Sequence, residues 1–180
     1  MLSDRSLQAI LKQHREDWLP IGTTDGEQTH WLPIFNIETA GESIRHFGIL
    51  KSGQWISGQL NNTQAARVGW MVPFLPLLER AHSEVVTLVA DGVHRTGLPE
   101  VVRTTFPFDT LVEFTLTELE GYWPNLAKGW IETGYPPNDT IAAAIPNHPA
   151  IVAWRRERFH RIHNPPSIQP ANSPQEPTQD

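Results

Sequence analysis

Cysteine is absent from the chain. Its absence excludes disulfide bridges, thiol catalysis, and zinc or iron–sulfur centres held by cysteine. The sequence also lacks any apolar run approaching the roughly 20 residues that span a bilayer, and its first residues lack the apolar core of a signal peptide. We therefore expect a cytoplasmic protein with no membrane partner.

Recognised catalytic and cofactor motifs are missing as well. Ser52-Gly53 and Ser57-Gly58 do not stand in a GxSxG elbow, and no glycine-rich loop has the spacing that binds phosphate. His160 and His163 are three residues apart and could face one metal ion. No third ligand completes a known signature, so we predict neither a metal site nor a cofactor.

Positive charge is scarce, since the net charge is −6 and only 19% of residues are charged. This balance disfavours nucleic acid as a partner. The charges are also uneven. Residues 100–139 carry seven acidic residues against Arg103 and Lys128, whereas residues 155–163 carry four arginines against Glu157. Attraction within the chain and binding of another protein would both account for this pattern.

The 180 residues suffice for one domain with its own core. We predict a single globular domain over residues 1–163 and a disordered tail over 164–180, because the tail is rich in proline and nearly devoid of large apolar side chains. The fold class predicted is α+β, with a small antiparallel β-meander at about residues 30–60. Pro33 should then lie at an edge or a bulge.

Most of the remaining chain should be helical. A first helix begins near Ser3 or Asp4, and residues 20–29 have the composition of a turn. A helix from Asn62 or Thr63 to Arg80 must be kinked or split by its two prolines. Residues 85–90 fit a helix from about residue 83 or a strand, and we favour the helix. Residues 90–99 then form a loop, followed by a short helix at 99–105.

Two acidic helices with apolar stripes are the most definite prediction. Thr110 and Glu113 have capping-box spacing, and Gly134 suits the position just after a helix end. A short helix near residue 141 and a last helix from His148-Pro149 follow. We expect Trp70, Trp123, Trp130 and Trp154 to be core anchors, because each lies on an apolar face.

The last helix places two arginines within an apolar arc. Ideal helical geometry groups Arg155 and Arg158 with five apolar residues, namely Ile151, Val152, Trp154, Phe159 and Ile162. A guanidinium in such a setting requires a carboxylate or an aromatic face. We expect Glu113, Glu118 or Glu120 to supply the carboxylate, or else Trp154 and the arginines to form a surface that binds an acidic partner.

One further polar group could carry chemistry. Asp91 and His94 could form an acid–base pair if both turned inward, and Arg95 could neutralise an anion beside them. An exposed Asp-Gly turn accounts for the same residues.

The sequence is compatible with two functions. The first is a non-enzymatic protein-binding module, similar in its acidic, tryptophan-rich character to bacterial immunity, adaptor or regulatory proteins. It would act through Glu113, Glu118 and Glu120, or through the Trp154, Arg155 and Arg158 helix. The alternative is a small-molecule-binding protein or hydrolase-type enzyme with a pocket between strands and helices, near Asp91.

Overall fold

The structure is a computed structural model that describes residues 4–13, 18–22, 28–39, 43–58, 60 and 70–163. Four strands form one antiparallel sheet in the order β1-β2-β3-β4. Their bounds are β1 Leu19–Gly22, β2 Gln28–Thr39, β3 Ser43–Leu50 and β4 Trp55–Gly58. The predicted meander and the α+β class are confirmed. The expectation that residues 20–29 form only a turn is wrong, because β1 pairs with the start of β2.

Pro33 lies at a break in the register between β2 and β3. Pro33 faces Gly48, but Phe35 faces Phe47, so two residues of β2 oppose one of β3. Proline cannot donate to the ladder, and a bulge removes that requirement. The predicted bulge is therefore confirmed. Next to this bulge, the rings of Phe35 and Phe47 stack on the core side of the sheet, with centroids 4.9 Å apart.

Six α-helices and two 3₁₀ helices make up the helical elements of the described chain. Their bounds are α1 Asp4–Gln13, a 3₁₀ helix Val72–Glu79, α2 His82–Arg95, a 3₁₀ helix Glu100–Thr105, α3 Phe108–Glu118, α4 Tyr122–Glu132, α5 Asp139–Ala144 and α6 Pro149–His163. Of the predicted helix ending at Arg80, residues 61–69 lie outside the described residues. The tail prediction lies outside them as well.

Helix α3 begins earlier than its sequence pattern suggests. Pro107 precedes its first residue, and the first helical bond runs from the Leu111 amide to the Pro107 carbonyl at 3.0 Å. No side chain caps this end, so the predicted capping box at Thr110 is wrong. Gly134 follows α4 with a φ of 109°, as predicted for the residue that ends a helix.

Helix α2 continues to Arg95, through residues whose composition predicts a loop. It runs to Arg95 because Val85, Val89 and Val93 recur at four-residue spacing and are all fully buried. Gly92 also faces the core. A Cβ atom there would lie 2.5 Å from the Ile34 carbonyl oxygen, so glycine permits a close contact between α2 and β2.

The core lies between one face of the sheet and the helices. Trp130 is buried there, and its indole Nε1 donates to the Arg80 carbonyl at 2.7 Å. Trp123 and Trp154 are half-buried, whereas Trp70 is 41% exposed, so the prediction of a buried Trp70 is wrong. The opposite face of the sheet carries a second buried cluster, formed by Ile21, Trp31, Leu50 and Ile56. Among the described residues, no helix has the length and apolar character needed to cross a membrane.

Candidate functional site

An open cleft of about 660 Å³ lies where the start of α2 meets the segment leading into α3. Helix α1 and the β3–β4 turn form one wall, and the chain after α4 forms another. The lining residues are Leu7, Gly53, His82, Val86, Thr104, Thr105, Phe106, Pro107, Phe108, Asp109, Thr110, Tyr135 and Pro136. A smaller hollow of about 250 Å³ shares Gly53, Thr105, Pro107 and Thr110 with it and extends toward Trp55 and Met71.

Phe106 fixes the segment that forms the floor of the cleft. Its ring is buried and packs edge-on against Trp55, with centroids 4.9 Å apart. The indole Nε1 of Trp55 also donates to Thr105 Oγ1 at 3.0 Å. Pro107 then interrupts regular structure between the second 3₁₀ helix and α3. Because Phe106 points into the core, the neighbouring Thr104, Asp109 and Thr110 remain exposed at the cleft.

The main polar contact in the cleft joins Tyr135 and Asp109. The Tyr135 hydroxyl donates to Asp109 Oδ1, and the Tyr135 ring is buried while the aspartate is exposed. Burial raises the pKa of Tyr135 strongly, and the hydrogen bond and charge of Asp109 raise it further, with a smaller effect from Glu113. The phenol therefore stays protonated and remains a donor. Asn138 Nδ2 donates a hydrogen bond to Glu113 Oε1 at 2.8 Å. Asn138 Oδ1 accepts from the Ile141 amide and so caps the start of α5.

His82, the first residue of α2, is half-buried among aromatic rings. Its imidazole lies 4.9 Å from Tyr135, 5.2 Å from Phe108 and 5.2 Å from Trp130, measured between ring centroids. Burial lowers the pKa of His82 below its ordinary value of 6.5. The imidazole is therefore neutral at pH 7, and it contributes a flat, weakly polar surface rather than a positive charge.

Asp91, His94 and Arg95 do not meet in a pocket. All three are exposed on the last turns of α2, outside the cleft, and Arg95 Nε lies 3.4 Å from the Asp91 carbonyl oxygen. The condition that Asp91 and His94 turn inward is not met, because α2 buries Val89 and Val93 instead. We therefore find no built acid–base site at this position.

The two arginines of α6 have partners inside the chain, but not the expected ones. Arg158 pairs with Asp139 and lies 5.2 Å from the centroid of the Trp154 ring. Arg155 Nη2 donates to the Ala142 carbonyl at 2.9 Å. Within the described part of the chain neither arginine pairs with an acid of α3 or of the α3–α4 connection, so the expected pairing with Glu113, Glu118 or Glu120 is wrong. Glu118 and Glu120 are exposed.

The apolar arc expected on α6 is largely solvent-exposed. Ile151 is fully buried and Trp154 half-buried, but Val152 is 45% and Phe159 is 59% exposed. The helix contacts the core mainly through its first turn. The rest of the helix therefore does not require an apolar face along its whole length. The side chains of Ile162, His160 and His163 lie outside the described residues. Elsewhere in the described chain, no three His, Asp or Glu side chains are grouped as metal ligands.

Sequence reasoning missed the three residues that define the cleft, namely His82, Asp109 and Tyr135. They lie on separate elements, and no local spacing connects them. The Phe-Pro-Phe-Asp run at residues 106–109 is the only feature of the sequence that points to the cleft, because it predicts a rigid aromatic turn with an acid beside it.

Comparison with known proteins finds no matching family, no matching curated protein and no matching solved structure.

Proposed function

We propose that this chain is a small-molecule-binding protein and that the cleft between α2 and α3 is its binding site. The observation that supports this proposal is the size and lining of the cleft. Its volume of about 660 Å³ falls within the roughly 300–1,000 Å³ typical of ligand pockets. Aromatic and aliphatic walls surround a few polar groups, which is the usual composition of such sites.

The cleft is held in shape by interactions that do not depend on a ligand. Phe106 is fixed by Trp55, and Tyr135 is fixed by burial and by its bond to Asp109. A preformed site binds more tightly than one that must be ordered, because less conformational entropy is lost on binding. The Asp109 carboxylate and the exposed hydroxyls of Thr104 and Thr110 can then orient a ligand whose apolar part contacts Phe108.

A pair of threonine variants tests the site. Thr104 and Thr117 are both exposed, and each hydroxyl bonds a carbonyl within its own helix, but only Thr104 lines the cleft. We expect Thr104→Trp to fill the cleft and Thr117→Trp to leave it open. A compound panel is screened by thermal shift and by ligand-observed NMR against wild type and both variants.

We expect compounds that bind wild type to bind Thr117→Trp equally well and Thr104→Trp at least tenfold more weakly. If no compound binds, or if hits bind all three proteins alike, the cleft is not the binding site. Circular dichroism of both variants establishes that they fold.

Protein binding is a second candidate, and a groove beside the acidic helices favours it. This groove of about 360 Å³ has a mixed lining of apolar residues, one acid, one amide and one lysine, namely Leu116, Leu119, Glu120, Gly121, Pro124, Asn125, Lys128, Ala144 and Ile145. A groove that combines apolar side chains with Glu120 and Lys128 suits a peptide segment that carries both apolar and charged residues, from an immunity target or a regulated partner. Capture of a stoichiometric partner by wild type but not by Leu119→Glu would support this function. Equal capture by wild type and Leu119→Glu would exclude the groove as the site of protein binding.

A further inference from the structure

The charges in the cleft discriminate between classes of ligand. Among the described residues that line it, Asp109 is the only one charged at neutral pH, and none is lysine or arginine. His82 adds no positive charge, because its imidazole is neutral at pH 7. A carboxylate or phosphate placed in the cleft would face Asp109, and none of the described lining residues is a lysine or arginine that would offset the repulsion.

Asp109 still has capacity to bind a donor. Within the described chain, Tyr135 is the side chain that donates to it, through Oδ1. A carboxylate accepts about four hydrogen bonds through its two oxygens, so the exposed Asp109 side chain can accept further hydrogen bonds from a ligand. The bond from Tyr135 also fixes the carboxylate in one orientation, since the Tyr135 ring is buried.

Phe108 is the phenyl side chain that a ligand beside this carboxylate can reach. It lines the cleft and is half-buried, whereas the rings of Phe106 and Tyr135 are buried. Cations are attracted to aromatic faces, and proteins use such faces to bind organic ammonium groups. The net charge of −6 also favours the approach of a cation.

We propose that the cleft binds an organic amine in its protonated form, with Asp109 as the counter-ion and the Phe108 ring against the carbon skeleton. This inference rests on the proposed small-molecule function of the cleft and adds the chemical class of the ligand. The ammonium group would donate to the Asp109 carboxylate, while the apolar part lies against Phe108 and Val86.

Three probes that share a phenylethyl group test the class of ligand. Phenethylamine is cationic, 2-phenylethanol is neutral and 3-phenylpropionate is anionic at pH 7, and binding is measured by ligand-observed NMR titration. We expect the amine to bind best and the carboxylate worst. In Asp109→Asn, which keeps an acceptor for Tyr135, amine binding should fall about tenfold, as expected for loss of a charged hydrogen bond, while alcohol binding stays unchanged.

Glu38→Gln is the matched control, because it removes one exposed acid outside the cleft. It should leave amine binding unchanged, which separates a local effect of Asp109 from the effect of net charge. If the alcohol or carboxylate binds as well as the amine, and Thr104→Trp abolishes that binding, the cleft is a binding site but the amine inference is wrong. If none of the three binds wild type, the amine inference is likewise wrong. The compound panel decides separately whether the cleft binds any small molecule.

Discussion

Replacing Gly92 by alanine tests the contact between α2 and the sheet. The added Cβ would lie 2.5 Å from the Ile34 carbonyl oxygen and 2.6 Å from Ile34 Cγ2. The carbonyl belongs to β2, which is hydrogen-bonded to β3 along most of its length. The strand therefore cannot move aside, and α2 must shift away from the core face that buries Val89 and Val93.

Two opposing effects determine how far Gly92→Ala changes the free energy of unfolding. Alanine in place of glycine within a helix is worth about 1 kcal/mol in favour of folding. Overpacking a core costs about 1–3 kcal/mol, and a clash with backbone belongs at the upper end of that range. We therefore expect Gly92→Ala to lower the free energy of unfolding by about 2 kcal/mol. For a chain of this size, that corresponds to a Tm lower by about 4–8 °C.

Gly129 provides a matched control within α4. A Cβ at this position has nothing within 4 Å, so Gly129→Ala should raise stability by up to about 1 kcal/mol. Both variants reduce the entropy of the unfolded chain equally, so the difference between them reports on packing alone. Urea unfolding followed by tryptophan fluorescence gives both free energies, and unchanged m-values would show that the variants unfold as wild type does.

The reasoning is refuted if Gly92→Ala is as stable as wild type or more so. Such a result would show that α2 does not approach β2 as closely as the structure indicates.

Three further predictions concern tryptophan, arginine and histidine. Trp130→Phe should lower the free energy of unfolding by about 1–3 kcal/mol in urea titrations, because a backbone carbonyl loses its donor, whereas the same change at half-buried Trp123 should cost less than about 1 kcal/mol. Arg158→Ala should cost less than about 1 kcal/mol, because its pair with Asp139 is exposed; a loss above about 2 kcal/mol would indicate a desolvated pair. Burial lowers the pKa of His82, so the unfolded state binds the proton more readily and stability should fall as pH drops below 6.5 toward the lowered pKa. His82→Gln should make that loss shallower in melts at a series of pH values, and an unchanged pH dependence would contradict the assigned burial.

Several elements followed from local sequence patterns alone. Gly134 after α4 and the bulge at Pro33 each depend on backbone properties of one or a few residues. The alternation and turn residues near 30–60 likewise predicted an antiparallel sheet. Such features are readable because their energies arise between residues that are close in the chain.

Only the tertiary structure decided the features that depend on distant residues. Asp-Gly at 91–92 has the composition of a turn, but burial of Val89 and Val93 against the sheet keeps it helical. Arg158 pairs with Asp139 because tertiary packing places α5 beside α6. The cleft itself joins residues from separate elements, because the packing of those elements sets which side chains meet, and no spacing in the sequence encodes that packing.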